Sequence, residues 1–96
     1  MPKMNILMKL PVIFLREKKK FVAYSPVLDL STAGKNFQEA QKRFEEIAFI
    51  FFKEIIKKGT INEVLEELGW QKVKKEWKPP VMISHHAETI SVPICV

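Results

Sequence analysis

The side chains able to do chemistry in this 96-residue chain are few and scattered. Ser84, His85, His86 and Cys95 lie near the C-terminal end, Asp29 is the one aspartate, and Tyr24, Trp70 and Trp77 carry polar handles. Two-metal hydrolysis needs several carboxylates converging on the ions. Here Asp29 stands without a second aspartate, and the glutamates fall mostly on helix surfaces. Adjacent histidines on an extended segment point to opposite sides, so His85 and His86 are not expected to share a metal. Ser84, His86 and Cys95 form no nucleophile–base pair, because nothing marks an orienting acid or an oxyanion hole. The expectation is a protein without catalysis, metal or cofactor. Lysine is the other resource. Clusters at 18–20, 57–58 and 72–75 stand at element ends, where solvated turns are the ordinary reading. Lys72, Lys74 and Lys75 beside Trp70 and Trp77 are the candidate nucleic-acid contact, the rings stacking on bases.

The elements that must position these groups follow from periodicity and punctuation. Residues 12–16 ("VIFLR") are β-branched and aromatic enough for a strand, "EKKK" is a polar turn, and "FVAY" at 21–24 returns as the second strand of a hairpin. After the Ser25-Pro26 turn signal, "VLDLSTA" at 27–33 is expected as a third strand, with Leu28 and Leu30 on one face and Asp29 on the other. Gly34 supplies the positive φ to leave it. Asn36 and Glu39 have capping-box spacing at the start of a helix over about 37–58. Phe37, Ala40, Phe44, Ile47, Ala48, Phe51 and Ile55 form its apolar stripe, which Phe49, Phe52 and Ile56 widen onto a second face. A three-stranded sheet covers only one face, so the surplus calls for cover by a second helix, the C-terminal segment or another subunit. Thr60 and Glu63 repeat the capping box for a shorter helix containing Ile61, Val64, Leu65 and Leu68, ended by Gly69. Trp70 should pack back on the stripe. In the extended segment 71–96 a short strand is expected around Val73. Ile90, Val92 and Ile94 alternate with Thr89 and Ser91, which predicts a half-buried edge strand. The fold class is α+β, two layers in β-β-β-α-α-β order, with one long and one short helix on a small antiparallel sheet.

Composition bounds the rest. The length allows one domain, residues 1–96, with a modest core. Cys95 is the only cysteine, so an internal disulfide is excluded and a reducing, cytoplasmic setting is expected. The longest apolar run, "IAFIFF" at 47–52, is far too short to span a membrane, and the N-terminus lacks a signal-peptide cleavage pattern. The net charge of +5 is mild.

Phe21 to Ala40, "FVAYSPVLDLSTAGKNFQEA", resembles the HicB-like antitoxin family. Phe21, Ala23, Tyr24, Ser25, Pro26, Leu28, Asp29, Leu30, Gly34, Glu39 and Ala40 carry the likeness, with Asn36 where that family usually has threonine. The resemblance covers about residues 10–60. It implies a single HicB-like domain with a partial ribonuclease-H-like fold, and a function of covering a small RNA-cleaving toxin rather than cleaving RNA. The family's usual C-terminal DNA-binding segment is not expected here, since residues 72–96 contain three prolines and cannot form a strand and two helices. A homo-oligomer is expected, with Phe49, Phe52, Ile56, Trp77, Ile90 and Val92 as candidate interface. The expected partner is a small basic toxin-like protein. A nucleic-acid-binding module and a solitary oligomer of the same fold are the alternatives.

Overall fold

The computed structural model describes residues 8–94; Cys95, Val96 and the first seven residues lie outside that range. Three antiparallel strands, β1 (Ile13–Glu17), β2 (Lys20–Ser25) and β3 (Leu30–Gly34), form a sheet in the order β1-β2-β3. The helix α1 (Phe37–Lys57) lies across β2 and β3 and is followed by the short α2 (Ile61–Glu67). A separate hairpin of β4 (Gln71–Val73) and β5 (Glu76–Lys78) supplies the final β of the expected order. The architecture is α+β in two layers. No helix is long and apolar enough to cross a membrane among the described residues.

Register decides which side chains share a face. Phe14 pairs with Ala23 and Ala23 with Thr32, placing this row toward α1, where Ala23, Ala40 and Phe44 are buried with Phe14 and Phe21 against them. A larger cluster gathers Val27, Leu28, Ile55, Leu65 and Trp70, with Leu30 bridging the two. Leu65 brings α2 onto Ile55, covering part of the surplus helix face.

Three local expectations are corrected. Residues 27–29 are not strand: they form a turn after Pro26, and β3 begins only at Leu30. Val27 and Leu28 point into the core from that turn, which closes with Asp29 in the left-handed region at φ 52°. Asp29 tolerates this because a short polar side chain suits that conformation. Gly34 does not have a positive φ; only Gly59 and Gly69 do among the described glycines. It is required instead by close approach, since a Cβ there would stand 2.5 Å from the Ala40 backbone nitrogen. The small residues at 34 and 40 are what let the end of β3 abut the first turn of α1. Residues 89–94 form no strand. They lie exposed without secondary structure: among the described residues no strand pairs with them to accept their hydrogen bonds.

The helix ends follow local chemistry. The Glu39 N–H donates to Asn36 Oδ1 at 2.7 Å, capping α1, while Glu39 Oε1 accepts from the Lys35 N–H rather than from Asn36. Thr60 makes no side-chain cap, so the second capping box does not form. Both helices end in the paired hydrogen bonds of a Schellman turn, around Gly59 (φ 69°) and Gly69 (φ 88°).

Candidate functional site

The motif residues are brought together by the sheet and its junction with α1. Ser25 is fully buried and its Oγ donates to the Pro11 carbonyl at 2.8 Å, tying the chain entering β1 to the end of β2. Arg43 donates to the Ala33 carbonyl at 2.9 Å and pairs with Glu39, which fastens α1 to β3. Phe21, Ala23, Leu28, Leu30 and Ala40 fill the core, and Pro26 and Asp29 are exposed in the turn. Most of the motif therefore encodes the junction of sheet and helix, not a reactive group.

Its surface product is the second face of the sheet. Ile13 pairs with Tyr24 and Leu15 with Val22, which in turn pairs with Ala33, so five apolar or aromatic side chains share the face turned away from α1. Neither core cluster reaches them. Leu15 is 55% exposed at the centre of the edge strand. The uninterrupted apolar runs at 12–15 and 21–24 are the sequence signal for this face, since a strand apolar at successive positions has two apolar sides. At its border the Tyr24 hydroxyl donates to Asp29 Oδ1 at 3.2 Å. The Tyr24 phenol is raised above its ordinary value of 10.0, by burial first and then by the hydrogen bond and negative charge of Asp29.

The proposed interface set does not form one patch. Phe52 is half-buried, its ring edge-on to Trp70 with centroids 6.2 Å apart, so it belongs to the core. Trp70 is buried as expected, its Nε1–H donating to the Val27 carbonyl at 2.8 Å. Phe49 (60% exposed) and Ile56 (59%) remain on the outer side of α1, with Ile50 beside them. Trp77 is half-buried against the larger cluster, with Lys72 Nζ 5.7 Å from its ring centre. Ile90 and Val92 are exposed on the C-terminal segment.

The hairpin β4–β5 carries the candidate nucleic-acid contact. Lys74 and Lys75 are the two central residues of its turn and both have positive φ, 51° and 67°. Such turns favour Asn-Gly, so two lysines here hold a strained backbone.

One arrangement escaped the sequence reading. Ser84 Oγ lies 3.0 Å from His86 Nδ1, and His86 Nε2 contacts Glu88 Oε1. The spacing i, i+2, i+4 puts all three on one side of an extended chain, which was the available signal. All three are exposed, so water competes at every contact and nothing encloses a substrate. Among the described residues no three metal-ligating side chains converge.

Compared with models of protein families, with curated proteins and with solved structures, the chain matches none.

Proposed function

We propose that this protein is a HicB-like antitoxin-type binding protein, without catalysis of its own, that neutralises a small RNA-cleaving toxin by covering its active surface. The observation that carries the reading is the uncovered sheet face of Ile13, Leu15, Val22, Tyr24 and Ala33. An apolar face of this kind, bordered by polar groups, is characteristic of a protein–protein contact. The motif from Phe21 to Ala40 builds the hairpin that presents it.

The net charge of +5 gives no long-range attraction to a basic partner. The contact then rests on apolar burial, and capture should depend little on salt. A tagged full-length chain, passed through lysate of its source cells with and without nuclease, should retain a small basic protein in both samples. That protein should cleave RNA when alone and lose this activity when the chain is added back. Leu15→Asp should abolish capture while leaving the fold intact, because Leu15 is exposed. Recovery of nucleic acid only, or of the chain alone, overturns the reading.

A second reading, nucleic-acid binding, is favoured by the strained turn that projects Lys74 and Lys75 next to Lys72 and the half-buried Trp77. Replacing all three lysines by serine should then weaken RNA or DNA binding; unchanged binding removes this reading.

A further inference from the structure

We infer that the outer edge of β1 receives an extended segment of the partner protein as a fourth strand of the sheet. The inference rests on the protein-binding reading above and names how the partner docks: by its backbone, beside the apolar face, and not by side chains alone.

The hairpin fixes which backbone groups point outward. β1 and β2 are joined by two residues, Lys18 and Lys19, with Lys18 at φ 57°. In a two-residue hairpin the pair beside the loop exchanges its hydrogen bonds, and bonded and non-bonded pairs then alternate along the ladder. Glu17–Lys20, Leu15–Val22 and Ile13–Tyr24 are therefore the bonded pairs. Phe14 and Arg16 stand between them and turn their N–H and C=O groups away from β2. The other side of the sheet gives the same phase. Arg43 reaches the Ala33 carbonyl from outside the sheet, so Ala33 faces away from β2, and Val22 opposite it faces Leu15.

The two edges of the sheet differ. On β3 the Arg43 guanidinium occupies the Ala33 carbonyl, and the first turn of α1 abuts Gly34. β1 has no such cover. Among the described residues no strand pairs with its outer edge, and no backbone hydrogen bond from outside the sheet reaches it. Four of its five residues are exposed. A row of outward donors and acceptors at strand spacing is completed by another extended backbone.

Side chains choose the occupant. An added strand meets Ile13 and Leu15 on one side, continuing the apolar face, and Phe14 and Arg16 on the other. Arg16 donates only to the Lys18 carbonyl, at 3.4 Å, and pairs with no carboxylate among the described residues. The segment that fits is apolar toward Leu15 and acidic opposite Arg16. A second copy is the poorer occupant, since it brings the same Arg16, the same lysine turn and a net charge of +5.

A synthetic probe tests the edge without any captured protein. A capped hexapeptide alternating valine and threonine, with one glutamate, is added at millimolar concentration to the full-length chain. The amides of Phe14 and Arg16 should exchange with solvent about tenfold more slowly. Arg16→Pro removes an outward N–H that β2 does not use and puts a ring in the path of an added strand. It should abolish this protection with an unchanged far-UV spectrum, whereas Arg16→Ala, which keeps the N–H, should retain it. No slowing in the wild-type chain overturns the proposal, whatever the lysate yields. Equal loss in Arg16→Ala assigns the effect to the side chain and overturns it too. With a captured protein in hand, Arg16→Pro should weaken capture about tenfold. Capture that is lost in Leu15→Asp but unchanged in Arg16→Pro leaves the binding reading standing and overturns strand addition.

Discussion

At Gly34 a single methyl group separates a packed junction from a clash. The atoms a Cβ would meet are backbone atoms of Glu39 and Ala40, inside a capped helix that cannot shift alone. Gly34→Ala should therefore lower the free energy of unfolding by about 2–3 kcal/mol, the upper part of the range for overpacking. Urea unfolding followed by tryptophan fluorescence measures it. Gln41→Ala on the exposed side of α1 is the control, and its midpoint should move little. Tyr24 offers a second residue-level test because it is the only tyrosine. Its ionisation, read from tyrosinate absorbance, should have a midpoint above 10.0, and Asp29→Asn should bring it down toward that value. Asparagine keeps the left-handed turn, so the change isolates the charge. The folded state holds the phenolic proton more tightly than the unfolded chain does. The stability linked to it is thus complete below pH 10 and is lost as pH rises through the folded midpoint.

Among the elements, the two helix starts look equivalent in sequence and differ in structure. Asn36 accepts a hydrogen bond from the Glu39 N–H, whereas Thr60 has φ −105° and ψ 12°, outside the extended geometry of a capping side chain, and makes none. Asn36→Ala should cost about 1 kcal/mol and Thr60→Ala less than about 0.5 kcal/mol, both from chemical denaturation. The difference was not legible in the capping-box spacing, because Thr60 also serves as the residue after the glycine of the preceding Schellman turn. Its N–H is committed to the Ile55 carbonyl, which sets its backbone before the next helix begins. The β4–β5 turn gives the opposite case. Lys74→Asn/Lys75→Gly should stabilise the hairpin by about 1 kcal/mol, since those residues accept positive φ at little cost. A gain in stability together with a loss of nucleic-acid binding would mark the two lysines as retained for function.

For the whole molecule, ionic strength separates the two functional readings. Three lysine–phosphate contacts would weaken binding about fortyfold between 50 and 200 mM salt. An apolar contact through the sheet face should change by less than about threefold over the same range. Titration calorimetry or fluorescence anisotropy with the captured partner reads the slope. The sheet face turned away from α1 and the outer stripe of α1 belong to opposite layers, and each keeps apolar side chains exposed.

Sequence alone determined the fold class, the hairpin, the extent of α1, the glycine ends of both helices and the burial of Trp70. Those features depend on interactions within a few residues or on periodicity along one element, and both are written locally. Tertiary structure decided the rest. Whether Leu28 belonged to a strand or a turn depended on Trp70, forty-two residues later, which packs with Leu28 and donates to the neighbouring Val27 carbonyl. Whether Gly34 served dihedral freedom or close approach depended on how near α1 comes. Phe52 and Phe49 are the same residue type on adjacent turns of one helix, yet α2 and Trp70 reach only the first. The segment 89–94 has the alternation of a strand and pairs with none among the described residues, because alternation specifies a face while pairing requires a neighbour. Side-chain period is a property of the chain; what covers each face is a property of everything packed around it.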